Sequence, residues 1–140
     1  MLRNYTNRNL ITHPDLKGVL LLDEDFIQKL DMLCHSAAEL GITLFALKGF
    51  SATKKFCSCS IGSAIYCDLI VNDKPYTGRM LMDEPPRGLQ KLVSDAKRNG
   101  IRWGGNFETN PNPLIWDSNF IALHPKIAEL KYREYNGEKG

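Results

Sequence analysis

Ala96-Lys97-Arg98-Asn99-Gly100-Ile101-Arg102-Trp103-Gly104-Gly105-Asn106-Phe107 is the stretch on which the reading of this chain turns. Upstream of it, Leu89, Leu92, Val93 and Ala96 recur at helical spacing behind the breaker Pro85-Pro86, and Gly100 supplies the stop. A helix therefore ends here. Ile101-Arg102-Trp103 reads as a short strand, and Gly104-Gly105 permits a tight turn beside a large aromatic filler.

Working outward, Phe26, Leu30, Leu33, Ala37 and Leu40 alternate steps of four and three, which predicts a helix from Asp23 to Leu40. Asp23, Glu24 and Asp25 open it where the helix dipole is positive, and Gly41 closes it. Ile42 to Leu47 reads as a buried strand, residues 48–63 as a long aperiodic loop, and Ala64 to Val71 as a second strand ended by Asn72-Asp73-Lys74-Pro75. A further strand or hairpin arm is expected over Arg79 to Met82, a loop over Asn106 to Pro113, and a strand over Phe120 to Leu123. A C-terminal helix starts at Pro125. Residues 1–22 read as an irregular N-terminal arm leading into a first buried segment at Val19 to Leu22, and 23–140 as one domain. Helices that bunch instead of alternating with strands point to an α+β fold, with helices flanking a central antiparallel sheet.

Composition narrows the classes. At 140 residues the chain suits a single core, and 43% hydrophobic with 24% charged residues excludes disordered and collagen-like chains. Eighteen Lys and Arg against 16 Asp and Glu give a formal charge of +2, too balanced for the basic field that a phosphate backbone attracts. No nucleic acid partner is expected. The longest purely apolar run, Val19 to Leu22, is far below the ~20 residues of a bilayer span, and no secretory signal is legible. A cytoplasmic residence follows as an expectation, with Cys34, Cys57, Cys59 and Cys67 as reduced thiols.

Three segments, in order, resemble the small zinc peptidases that include the D-alanyl-D-alanine carboxypeptidases and the phage L-alanyl-D-glutamate endolysins, which share the Hedgehog/DD-peptidase fold. Leu40 to Ser51 is similar to the family's "G-I-x-L" strand followed by "S-G-Y-R-S". Cys59 to Leu69 is similar to "H-x-x-G-x-A-x-D-L". Ala96 to Phe107 is similar to "A-x-x-x-G-F-x-W-G-G-D-W", and Asp117-Ser118-Asn119-Phe120 stands where the family has "D-x-P-H-F". The resemblance covers about Phe26 to Leu123.

A hydrolytic zinc needs three protein ligands and one open position for water. In the family these ligands are His, Asp and His. Here the first falls on Cys59 when the motif is anchored on Gly62 and Ala64, or on Ile61 when it is anchored on Asp68. The second His position is Asn119, whose amide is a poor zinc ligand. The family's general base falls on Trp116, with Asp117 one step out of register as the remaining catalytic candidate. The arginine of "S-G-Y-R" is missing after Phe50.

The resemblance thus implies a catalytically inactive peptidase-like domain without a cofactor, with Cys59, Asp68 and Asn119 as vestigial metal positions. It implies a cleft of Tyr66, Asp68, Trp103, Phe107, Trp116 and Asn119 that binds a protein or a cell-wall peptide or glycan. A phage source would place it in the host cytoplasm or the virion. The competing expectation is an active zinc cell-wall peptidase with the ligand set Cys59, Asp68 and His124. A zinc site of Cys57, Cys59 and Cys67 completed by His35 lacks the usual paired spacing.

Overall fold

A computed structural model describes residues 1–137. Its elements are the strands β1 (Leu2–Asn4), β2 (Leu10–Thr12) and β3 (Leu21–Asp23), helix α1 (Glu24–Glu39), strands β4 (Ile42–Lys48), β5 (Ala64–Val71) and β6 (Lys74–Tyr76), and helices α2 (Met80–Asp83) and α3 (Leu89–Arg98). Strands β7 (Arg102–Trp103) and β8 (Ile115–Asp117) and helices α4 (Phe120–Leu123) and α5 (Pro125–Tyr135) complete the chain.

The main sheet runs β2-β4-β5-β8-β7, with β6 also paired to β5, and it is mixed: β2 lies parallel to β4 while the other pairs are antiparallel. An all-antiparallel sheet is therefore corrected in one strand. Side chains alternate across a strand, so Ile42, Leu44 and Ala46 of β4 and Ile65, Cys67 and Leu69 of β5 all fall on one face. These are fully buried in a core they share with Phe26, Leu30, Leu33 and Ala37 of α1 and Leu92 and Ala96 of α3. The other face carries Phe45, Tyr66, Asp68 and Asp117.

The long helix and its ends match the sequence reading. Asp23 caps α1 by accepting the Asp25 N–H at 3.0 Å, the usual role of a carboxylate at this position. Three other expectations are corrected. Residues 1–22 are not an irregular arm, because β1 pairs with β3, β2 extends the main sheet, and Tyr5 and Leu10 enter the core, while Leu20 and Leu22 are buried as the apolar run predicts. The segment Arg79 to Met82 belongs to the helical turn α2, and the hairpin arm is Lys74–Tyr76. Phe120 to Leu123 is a helical turn, whose neighbouring strand is the shorter β8. Asn119 causes this last change: it adopts φ 53° and ψ 31°, a left-handed conformation that Asn tolerates and that ends extended structure.

No helix among the described residues is long and apolar enough to cross a membrane. The helix α5 is bound to the rest of the chain by polar groups. Lys131 Nζ donates to both oxygens of the buried Asp23 at 2.8 and 2.9 Å and to Asp25 at 3.0 Å, and Tyr135 Oη donates to Asp23 as well. Burial pushes the Asp23 carboxyl upward, but these donors together hold it below its usual range. From the same helix Tyr132 Oη donates to the Thr53 carbonyl and Asn136 to the Ser60 carbonyl, both at 2.9 Å, so α5 fastens the loop before β5.

Candidate functional site

The ladder between β5 and β8 decides which expected site residues meet. Ala64 lies opposite Asp117, Ile65 opposite Trp116 and Tyr66 opposite Ile115, and Arg102 of β7 lies opposite Asp117 on its other side. Asp117, Tyr66 and Arg102 therefore share the outer face. Trp103 and Trp116, one residue out of phase, point into the core, with ring centroids 6.2 Å apart.

Asp117 is 3% exposed, and both of its oxygens are occupied. Arg102 donates from Nε to Oδ1 at 2.8 Å and from Nη2 to Oδ2 at 3.0 Å. The Asn119 N–H adds a bond to Oδ1 at 3.1 Å and Ser58 Oγ one to Oδ2 at 3.4 Å. A general base needs a free lone pair directed at water. A carboxylate held by a two-pronged guanidinium and two further donors organises the turn instead. Ser58 stands on the 3-10 turn Ser58–Ile61, so Asp117 fixes that turn to the end of β8.

Asp68 is placed elsewhere. It lies four residues beyond Ala64, about 13 Å along the strand, and opposite Phe45 of β4 instead of β8. Asn119 follows Asp117 in the other direction. The expected meeting of Asp68 with the Asn119 segment is therefore corrected. Asp68 Oδ1 accepts the Gly78 N–H at 3.1 Å, and burial pushes its carboxyl up despite that bond and the nearby His13.

The metal expectations are tested by these placements. Cys59 is bonded to Cys57, which corrects the reading of that pair as reduced thiols. The other anchor, Ile61, is fully buried. His124 sits at the junction of α4 and α5 beside Asp25, Phe26 and Ile127, so Cys59, Asp68 and His124 are not brought together. His35 faces solvent with Glu39 at 2.8 Å, while Cys34 and Cys67 are buried in the core. Among the described residues no group of three His, Cys, Asp or Glu side chains converges. The side chains present do not fit a tetrahedral zinc.

Trp116, expected in the cleft, is fully buried, and its Nε1 has no hydrogen-bond partner among the described residues. Trp103 is 5% exposed and donates from Nε1 to the Pro113 carbonyl at 2.8 Å. Both glycines after it are required by close approach. A side chain at Gly105 would run into the Trp103 ring, and one at Gly104 would meet Ile115 Cβ at 2.9 Å and the Asn112 carbonyl. The Trp-Gly-Gly sequence is thus a packing device.

What remains on the open side is a polar and aromatic surface. Lys48 Nζ lies 4.8 Å from the centre of the half-buried Tyr66 ring, and the Arg102 guanidinium carbon lies 4.5 Å from that of Phe107. Sequence reasoning missed Lys48 and Arg102. Beside β7, a groove of about 550 Å³ is lined by Val93, Lys97, Ile101, Arg102, Trp103 and Phe107 among others.

This architecture is a peptidase-like fold. The solved structure of the Serratia marcescens L-Ala D-Glu endopeptidase ChiX is similar to it with a TM-score of 0.52, at 11% identity over 81% of this chain and 93% of that one. No protein-family model and no curated protein sequence matches the chain.

Proposed function

We propose that this chain is a non-hydrolytic member of the Hedgehog/DD-peptidase architecture that binds cell-wall peptides on its open sheet face. The observation that carries this reading is Asp117. The one carboxylate near the family's catalytic position has all its accessible lone pairs taken by Arg102, Ser58 and Asn119. The family's ligand positions support it further, since Cys59 is in a disulfide and Asn119 offers a carboxamide. The similarity to an L-Ala D-Glu endopeptidase, together with the motif resemblance, makes a stem peptide of peptidoglycan the ligand class.

Binding without chemistry needs only a shaped surface with a few fixed polar groups. Lys48 offers a cation to peptide carboxylates, while Tyr66 and Phe107 offer flat apolar contact. A phage origin fits the size of the domain, as the resemblance implies. The test is co-sedimentation with insoluble peptidoglycan. The native chain pellets with it, and Lys48→Ala combined with Tyr66→Ala weakens this at least tenfold while the melting temperature stays unchanged. Equal pelleting of native and variant chains refutes binding at this face.

A further inference from the structure

We propose that Cys57 and Cys59 form a thiol–disulfide exchange site whose co-reactant is a low-molecular-weight thiol. This inference is independent of the cell-wall reading, and it starts from how differently the four cysteines are placed. Cys34 and Cys67 are 1% and 0% exposed. Burial pushes the Cys34 thiol up to about 11 and the Cys67 thiol well above its usual value. A thiol that cannot ionise is a poor nucleophile. Cys57 and Cys59 instead lie half-exposed on the turn before β5, where solvent and a small thiol can reach them, and Cys57 follows the exposed Lys55 by two residues.

The bond encloses a single residue, Ser58. Closing so short a loop removes little chain entropy, so this disulfide contributes less to folding than one that spans a long segment. The turn is held by other means. Cys57 N–H donates to Ser60 Oγ at 3.0 Å, Ser60 N–H to the Cys57 carbonyl at 3.1 Å, and Ser51 N–H to the Cys59 carbonyl at 3.0 Å. None of these bonds involves sulfur. The two side chains therefore stay neighbours when the bond opens, as reversible exchange requires.

In the forward direction a thiolate of the small thiol attacks one sulfur, the Cys57–Cys59 bond breaks, and the other cysteine leaves as a thiolate. A second small thiol then attacks the mixed disulfide and releases the oxidised small molecule. Two electrons pass from two thiols to the protein disulfide, and two protons end on Cys57 and Cys59. The oxidised small molecule reverses the sequence.

The experiment equilibrates the folded chain in buffers of reduced and oxidised glutathione, quenches with acid, alkylates, and locates the label by peptide mass. The expected result is one reversible transition in which Cys57 and Cys59 gain label together, with an unchanged circular dichroism spectrum and no label on Cys34 or Cys67 until the chain is denatured. The proposal is overturned if the oxidised chain, once denatured, already labels at all four cysteines. It is equally overturned if the bond survives the most reducing glutathione buffer, or if opening it unfolds the chain. A Cys57→Ser, Cys59→Ser variant that is folded by circular dichroism should take no label in its native state. Labelling of that variant at the native rate assigns the reactivity to the buried cysteines and also overturns the proposal.

Discussion

Replacing Lys131 by Met removes a cation from a buried carboxylate while keeping most of the apolar stem. The Asp23 side chain is 1% exposed, and the Lys131 side chain 12% exposed. Removing one partner of a buried pair costs about 3–5 kcal/mol, because the remaining charge is left in a poor solvent. Asp23 keeps the Asp25 N–H and Tyr135 Oη, so the lower end of that range applies, about 3 kcal/mol. For a chain of this length that lowers the melting temperature by roughly 10 °C. The pH dependence gives a second signature. In the native chain the Asp23 carboxyl is held low, so its contribution is present above the unfolded value near ~4 and is lost as pH falls through the lowered value. Lys131 is raised by its two carboxylates against the effect of burial, so its contribution is complete below about 10.4 and is lost as pH rises through the raised value. The stability gap between native chain and variant should thus be widest near neutral pH and shrink in acid, as Asp23 takes up a proton. The assay is thermal unfolding from pH 3 to pH 8, with Asp23→Asn, which keeps the helix cap, completing a double-mutant cycle. A cost below ~1 kcal/mol, or strict additivity in the cycle, would refute the pairing argument.

Trp103→Ala should lower stability by about 3–5 kcal/mol in urea unfolding, through the cavity left beside Trp116. Gly105→Ala should cost about 1–3 kcal/mol by the opposite route, crowding the same ring. A fold that tolerates both without loss does not pack as described. The motif spacing that the family resemblance supplies predicts which substitutions rebuild a metal site. With the motif anchored on Gly62 and Ala64, the central carboxylate belongs at position 66, so Cys59→His, Tyr66→Asp and Asn119→His together should bind zinc in calorimetry. The variant with only the two histidines, relying on Asp68, should bind none, because Asp68 is two residues too far along β5.

The parts of the fold that were legible in the sequence are those with a long period. The helix α1 shows five buried positions in sixteen residues, and α3 is bounded by Gly on both sides. The strands β4 and β5 are long enough for their β-branched and aromatic residues to register. Three-residue strands carry no period, so β1, β2 and β8 leave no signal in the sequence, and the apolar run Phe120 to Leu123 reads as the strand that β8 supplies. Trp116 is expected in the cleft from the motif resemblance alone, and only its place on β8 opposite Ile65 shows that it faces the core. Asp117 was found, but not its Arg102 clamp, because their pairing depends on β7 and β8 being neighbours. The contacts of Lys131 with Asp23 span 108 residues and leave no local signal at all.

The proposed absence of hydrolysis by this peptidase-like domain is tested by incubating the native chain with purified peptidoglycan in excess zinc and counting newly exposed amino groups. The Asp117 clamp and the dispersed ligand positions predict no increase over a protein-free control, while the chain remains bound to the pellet. A time-dependent release of peptides with new amino termini, abolished by a zinc chelator and restored by added zinc, would contradict the account.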